Sequence, residues 1–264
     1  MYDFEYHRAV SLDEAVERLG ASAEAKVLAG GMTLLPTMKL RLAQPETLVD
    51  LGGLAELHGV SGRDPVVIGA MTTHGEVAAS ADVAAGIPAL AALAGGIGDA
   101  QVRNRGTLGG SLANSDPAAD YPAAVLGLGA TIRTNRRRIP AEQYFRGMFE
   151  TALEPDEIIV SVSFPRPARA GYAKFANPAS RYAVVGVFVA DTADGLRVAV
   201  TGAGPCVFRV AEMEAALSRD FSPESLDGIE VPPDELNEDL HASAEYRAHL
   251  IGVMARRAVA AARG

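Results

Sequence analysis

The sequence predicts an α+β fold: a small βαβ-like lobe first, a mixed-sheet lobe next, then a C-terminal part built from an antiparallel sheet and helices. Three observations carry this expectation. A run at 26–29, Lys26-Val27-Leu28-Ala29, reads as a short buried strand, meets the pair Gly30-Gly31 and passes into helical spacing over 32–42, the pattern of strand, tight turn and helix. Past residue 130, short β-branched runs alternate with polar turns, as antiparallel strands do. Helical patterns at 210–218 and 244–261 come after those strands.

The elements follow in order. Ser11 can cap a helix over 12–19, with Glu14 at the capping-box position and Leu12, Ala15, Val16 and Leu19 on one face, ending at Gly20. A strand at 47–51 completes the first lobe. A further strand at 65–70 leads into Thr72-Thr73-His74, and helices are expected at 75–80 and 88–97. Residues 101–120 have no clean period and are dense in Gly, Asn, Asp, Ser and Thr, so they read as one long ordered loop, a common place for function. Strands at 130–133 and 157–164 lie on either side of a polar turn at 134–138, whose Arg136-Arg137-Arg138 run reads as a solvated hairpin tip. Pro165-Arg166-Pro167 marks the expected boundary between domains 1–166 (lobes about 1–55 and 56–166) and 167–264. Beyond it, strands at 172–175, 182–190 and 196–201 form a meander turned at Asp194-Gly195. The acidic, proline-containing stretch 222–239 reads as a surface connection.

Composition excludes several function classes. The 264 residues are 48% apolar and 22% charged, with 24 Lys+Arg against 33 Asp+Glu and a net charge of -9. Such a chain buries a core without staples and lacks the positive field that attracts nucleic acid or anionic lipid. The most apolar stretch, 84–98, is short and interrupted by Pro88, so no membrane insertion is expected. The N-terminal residues carry acids and no apolar core of a signal peptide, and the expected location is cytoplasmic. One cysteine, Cys206, rules out an intrachain disulfide and an iron-sulfur cluster held by four thiolates of this chain, and it reads as a small core hydrophobe. The five histidines show no ligand spacing, so no metal site is expected.

Familiar catalytic signatures are missing. Gly96-Ile97-Gly98-Asp99-Ala100-Gln101 has Gln101 where a dinucleotide fingerprint needs its third glycine, and no phosphate-loop lysine or G-x-S-x-G motif occurs. Two double-glycine turns remain, around Gly30-Gly31 and Gly109-Gly110. Each offers consecutive main-chain N–H groups that no Cβ obstructs, with hydroxyl residues nearby, and such arrays suit phosphate oxygens. The same pairs serve equally well as plain tight turns.

The strings LAGGMTLLPTMKLR (28–41), IGAMTTHGEVA (68–78) and RNRGTLGGSLANSDPAADYPA (103–123) resemble the FAD-binding medium subunit of molybdenum hydroxylases. That family includes the flavoprotein subunit of carbon monoxide dehydrogenase and the FAD domain of xanthine dehydrogenases. The likeness continues through 138–165 and 241–258, so it spans nearly the whole chain. It implies a two-lobed FAD-binding domain followed by a C-terminal flavoprotein domain. Carried over by position, Val27, Leu28, Ala29, Gly30, Gly31, Met32, Thr33 and Leu34, with Thr107, Leu108, Gly109, Gly110 and Ser111, would bracket the pyrophosphate. Thr72, Thr73 and His74 would line the same cleft, and Asp120, with Asn114 and Asp116 close by, would meet the sugar alcohol or ribose. Ile97 matches an apolar flavin neighbour, Ile159 a backbone contact and Lys174 a polar contact, with Tyr182 near the flavin. No side chain is assigned a catalytic role. The resemblance further implies a small 2Fe-2S subunit and a large molybdopterin subunit as partners, in a dimer of heterotrimers, with electrons passing from the clusters through FAD to an external acceptor. The alternatives are a stand-alone flavoprotein that has lost those partners and a scaffold that no longer binds flavin.

Overall fold

The computed structural model describes residues 1–263. The first lobe is a three-stranded parallel sheet of order β1-β3-β2, formed by β1 (Glu5–Arg8), β2 (Ala25–Leu28) and β3 (Thr47–Asp50). Helix α1 (Leu12–Gly20) joins β1 to β2, and α2 (Leu34–Lys39) joins β2 to β3. Ser11 caps α1 by accepting from the Glu14 N–H, while the Glu14 carboxylate accepts at 2.8 Å from the N–H of Val10, one residue before the cap, so only half of the predicted capping box forms. Helix α2 is shorter than the spacing suggested. Gly31 at φ +73° turns the chain before it and Arg41 at φ +61° ends it.

The second lobe is a five-stranded antiparallel sheet of order β4-β5-β10-β6-β7. Its strands are β4 (Val60–Ser61), β5 (Val66–Gly69), β6 (Thr131–Thr134), β7 (Arg138–Pro140) and β10 (Ile159–Phe164). Its helices are α3 (His74–Ala79), α4 (Ala81–Gly86), α5 (Pro88–Gly95), α6 (Ala100–Arg105), α7 (Leu108–Asn114) and α8 (Tyr121–Gly127). A short turn α9 (Ala141–Tyr144) precedes the small hairpin β8 (Phe145–Gly147) and β9 (Glu150–Thr151). The expected long loop at 101–120 therefore contains most of two helices. Asp99 caps α6 by accepting from Val102 N–H and Thr107 caps α7 by accepting from Gly110 N–H, which starts helices that composition alone disfavours. The arginine run is exposed, as expected of a hairpin tip, and two of its members make ion pairs there: Arg137 with Glu157 at 2.8 Å and Arg136 with Asp156.

The remaining strands are β11 (Arg169–Ala176), β12 (Ala183–Thr192), β13 (Gly195–Thr201) and β14 (Phe208–Arg209), an antiparallel sheet in sequence order. The β12–β13 turn centres on Ala193 and Asp194, with Gly195 already paired to Thr192, one residue earlier than expected. One face of this sheet packs on α10 (Ala211–Arg219) and α11 (Ala244–Arg263). The other face contributes Phe188, Ala190 and Ala199 to the core of the second lobe, so β12 is buried on both sides and reads as a nearly continuous apolar run. Residues 222–239 are not merely a surface connection: Leu226 is fully buried and Asn237 donates to Gly204 O at 2.6 Å. Cys206 is half-buried, and burial pushes its thiol up in pKa.

Candidate cofactor site

A cleft of about 680 Å³ opens where the β2–α2 turn of the first lobe faces the α6–α7 turn of the second, with the segment before β12 closing one end. The two turns touch through main chain. A Cβ on Gly30 would sit 2.6 Å from the Arg105 carbonyl carbon and 2.9 Å from Gly106 Cα, so the approach demands glycine. A Cβ on Gly110 would meet Thr107 Oγ1 at 2.9 Å and Ala29 Cβ at 3.4 Å across the cleft.

The glycine pairs are not equivalent. In the first turn the local bonds run from Leu35 N–H to Gly31 O and from Thr37 N–H to Thr33 O. Among the described residues, the N–H groups of Gly30, Gly31, Met32 and Thr33 meet no protein acceptor. In the second, Leu108 donates to Thr72 O, Gly109 to Ala70 O at 2.8 Å, Gly110 to Thr107 Oγ1 and Ser111 to Thr107 O. Gly109 is a packing glycine, since a Cβ there would lie 2.6 Å from Ala70 Cβ. The main-chain donors without a protein acceptor therefore lie on the first turn, and the second supplies a close wall that includes Ser111 and Asn114.

Two carboxylates face the same cleft. Asp116 accepts from Ala118 N–H at 2.9 Å, and burial pushes its carboxyl up in pKa. Asp120 is only 4% exposed, accepts from the Tyr172 hydroxyl at 2.5 Å and pairs with Lys174 Nζ at 2.9 Å. Burial pushes its pKa up and Lys174 opposes that rise. Burial pushes the Tyr182 phenol up in pKa, with the Asp116 and Asp120 carboxylates adding to the rise and the hydrogen bond with Thr33 opposing it. His74, 5% exposed, tilts over the Tyr121 ring at 5.3 Å between centroids, and its Nδ1 has no partner. Burial, with Arg103 nearby, brings its pKa down to about 4, so the ring is neutral at pH 7.

Of the residues singled out from sequence, Val27, Ala29, Gly30, Gly31, Met32, Thr33 and Leu34 line the cleft, as do His74, Ile97, Thr107, Gly110, Ser111, Asn114, Asp116, Asp120 and Tyr182. Leu28, Thr72, Thr73, Leu108, Gly109, Ile159 and Lys174 are not among the lining residues. Thr72 exchanges hydrogen bonds with Gly59, Thr73 caps α3 with Glu76, and Leu108 and Ile159 belong to the core.

The chain matches the family described as the FAD binding domain in molybdopterin dehydrogenase over residues 2–167. It belongs to that family. Over 98% of this chain and 96% of the relative, it is 37% identical to the carbon monoxide dehydrogenase medium chain of Hydrogenophaga pseudoflava. It is 38% identical to the nicotine 6-hydroxylase medium subunit of Paenarthrobacter nicotinovorans, covering 96% and 95%. The solved carbon monoxide dehydrogenase from Hydrogenophaga pseudoflava that lacks the Mo-pyranopterin moiety of the molybdenum cofactor superposes with a TM-score of 0.89 at 37% identity, covering 99% of this chain and 98% of that one. The chain is thus an FAD-binding subunit of the molybdenum hydroxylase family, part of an oxidoreductase.

The site suits an FAD-binding subunit. Main-chain donors at the first turn suit an anionic oxygen, and Lys26 and Arg181 are among the residues that line the cleft. The carboxylates are acceptors suited to ligand hydroxyls. Sequence reasoning missed Phe149, Ser180 and Arg181, which line the cleft from turns far along the chain, and Tyr172, which orients Asp120. The only local signal was weak: Phe149 and Arg181 take positive φ, which their residue types do not announce.

Proposed function

We propose that this chain carries FAD in the cleft and relays electrons from the 2Fe-2S clusters of a small partner subunit to an external acceptor. The row of four free N–H groups at Gly30–Thr33, facing Gly110 across the cleft, carries this reading. Those donors would hold the pyrophosphate, Asp116, Asp120 and Asn114 would meet the sugar hydroxyls, and Ile97 and Tyr182 would flank the flavin. Leu28, Thr72, Thr73, Leu108, Gly109 and Ile159 would shape the wall from behind. Bound FAD supplies a carrier that takes electrons singly and releases them in pairs. The residues of this chain bind, orient and shield; none is asked to move a proton. Relatives named as a medium chain and a medium subunit support an assembly with further subunits, and we propose a large molybdopterin subunit among them, in a dimer of heterotrimers. The division into domains 1–166 and 167–264 belongs to the same proposal. No helix among the described residues is long and apolar enough to cross a membrane, and we place the assembly in the cytoplasm.

The test is to mix oxidised, FAD-loaded chain anaerobically with its chemically reduced iron-sulfur subunit and follow the flavin's visible absorbance. Rapid bleaching, with co-purification of the two chains, is the expected result. A loaded chain that neither binds the subunit nor is reduced by it is the stand-alone flavoprotein instead.

A further inference from the structure

We infer that Arg247, on the C-terminal helix α11, is a positioning residue for the cofactor: through the ends of β12 and β13 it holds the loop of residues 116–120 in place at the cleft. The inference rests on the cofactor reading above. No residue of α11 lines the cofactor cleft, so Arg247 acts on the cofactor only through that loop.

The loop borders two open spaces. Asp116, Ala119 and Asp120 line the cofactor cleft, while Asp116, Pro117 and Ala118 line a second cavity of about 440 Å³ that Arg247 also lines. With space on both sides, the main chain between the two carboxylates depends on hydrogen bonds more than on packing. Those bonds come from the C-terminal sheet. Gly202 N–H donates to Pro117 O at 2.8 Å, Ala183 N–H to Ala118 O at 3.2 Å and the Thr201 hydroxyl to Ala119 O at 2.6 Å.

Arg247 fixes the residues that make these bonds. Its Nη1 donates to Val184 O at 2.6 Å and to Gly202 O at 2.9 Å. Gly202 is therefore held by both of its main-chain groups, the N–H on the loop and the C=O on the arginine, and Val184 follows Ala183 directly. The two strand ends are in close contact here: Gly202 takes φ +84°, and a Cβ on it would lie 2.5 Å from Ala183 O and 2.8 Å from Val184 O. Two carbonyl oxygens gathered on one nitrogen repel each other unless a cation stands between them. The guanidinium is that cation, and bonds from a charged donor are stronger than neutral ones.

The arginine is itself aimed from two directions. It is 4% exposed, and Ile251, Met254, Ala255 and Ala258 seat its helix in the core against the sheet. Its Nη2 pairs with Asp239 at 2.8 Å, and that carboxylate also accepts from the N–H groups of His241 at 2.8 Å and Ala242 at 3.1 Å. Asp116 and Asp120 stand four residues apart on the loop, so releasing its anchor misplaces both acceptors for the ligand hydroxyls together.

The experiment reads FAD affinity and main-chain amide exchange on full-length chain, affinity by flavin fluorescence and exchange after the flavin is removed. Arg247→Met is expected to weaken FAD binding by about fivefold or more and to speed exchange of the Ala183 and Gly202 amides by about tenfold or more. Arg247→Lys, which keeps the charge and its donors, should return FAD affinity to within about threefold of wild type. Met254→Ala, a cavity two turns along the same helix, should lower the unfolding midpoint and leave FAD affinity within about twofold. A loss of affinity in Met254→Ala equal to that in Arg247→Met means general destabilisation and overturns the inference. Weaker FAD binding in Arg247→Met with unchanged amide exchange also overturns it, because the effect then bypasses the loop. Should Arg247→Met fail to fold by near-ultraviolet circular dichroism, the reciprocal measurement on wild type decides: FAD must slow exchange at Ala183 and Gly202, and equal rates with and without FAD overturn the inference. A folded wild-type chain that takes up no FAD sinks the cofactor reading and this inference with it, whereas FAD-loaded wild type beside an unaffected Arg247→Met sinks this inference alone.

Discussion

At the scale of single residues, Gly30 is the position where the least chemistry carries the most consequence. A methyl group there enters the van der Waals shell of the Arg105 carbonyl, which is main chain and cannot rotate away. Gly30→Ala is expected to cost about 2 kcal/mol or more of stability and to abolish flavin retention, checked by thermal unfolding and by the flavin released from purified protein. His74 makes a different prediction. Its pKa is about 4 in the fold against an ordinary value of 6.5, so the unfolded chain binds the extra proton first. Stability from this group is therefore full above about pH 6.5 and is lost as pH falls toward about 4. Urea unfolding at both ends of that window should show a smaller acid loss in His74→Gln than in the wild type.

At the scale of elements, the hairpin joining β6 to β7 is held from inside by one carboxylate. Glu157, fully buried, accepts from Thr134 Oγ1 at 2.7 Å, from Arg137 Nε at 2.9 Å and from Glu154 N–H at 3.0 Å. These bonds, Arg137 first, bring its pKa down to about 2. Its contribution is present above the ordinary carboxylate value and is lost as pH falls toward about 2. Glu157→Gln should cost about 1–3 kcal/mol at neutral pH and flatten the acid limb of the unfolding profile. The arginine run that reads as solvated in sequence hides this anchor, because its partner lies twenty residues later. The strand-turn-helix at Gly30-Gly31 was legible, since local spacing and turn chemistry agree there. Helices α6 and α7 were not: tertiary contacts with Ala70 and Thr72 hold glycines in a helix that propensity opposes.

At the scale of the whole molecule, the C-terminal sheet braces one wall of the cleft from outside it. Thr201 donates to Ala119 O at 2.6 Å, Gly202 N–H to Pro117 O at 2.8 Å and Ala183 N–H to Ala118 O at 3.2 Å, pinning the loop between Asp116 and Asp120. Thr201→Val keeps the shape and removes that donor from a fully buried site. It should cost about 1–3 kcal/mol and loosen flavin, measured by urea unfolding and by FAD affinity. These long-range bonds explain the limit of sequence reasoning at the site. Glycines and acids in short motifs point to the cleft, whereas the residues that aim them lie dozens of positions away with no pattern of their own.

The central claim, that the cleft between the two glycine turns holds FAD, is tested most directly by acid release and chromatographic identification of the cofactor from chain purified without added flavin. The account predicts FAD close to one per polypeptide, lost in Gly30→Ala and retained in an exposed control such as Leu240→Ala. Folded protein that holds no FAD, even after incubation with excess, would contradict it.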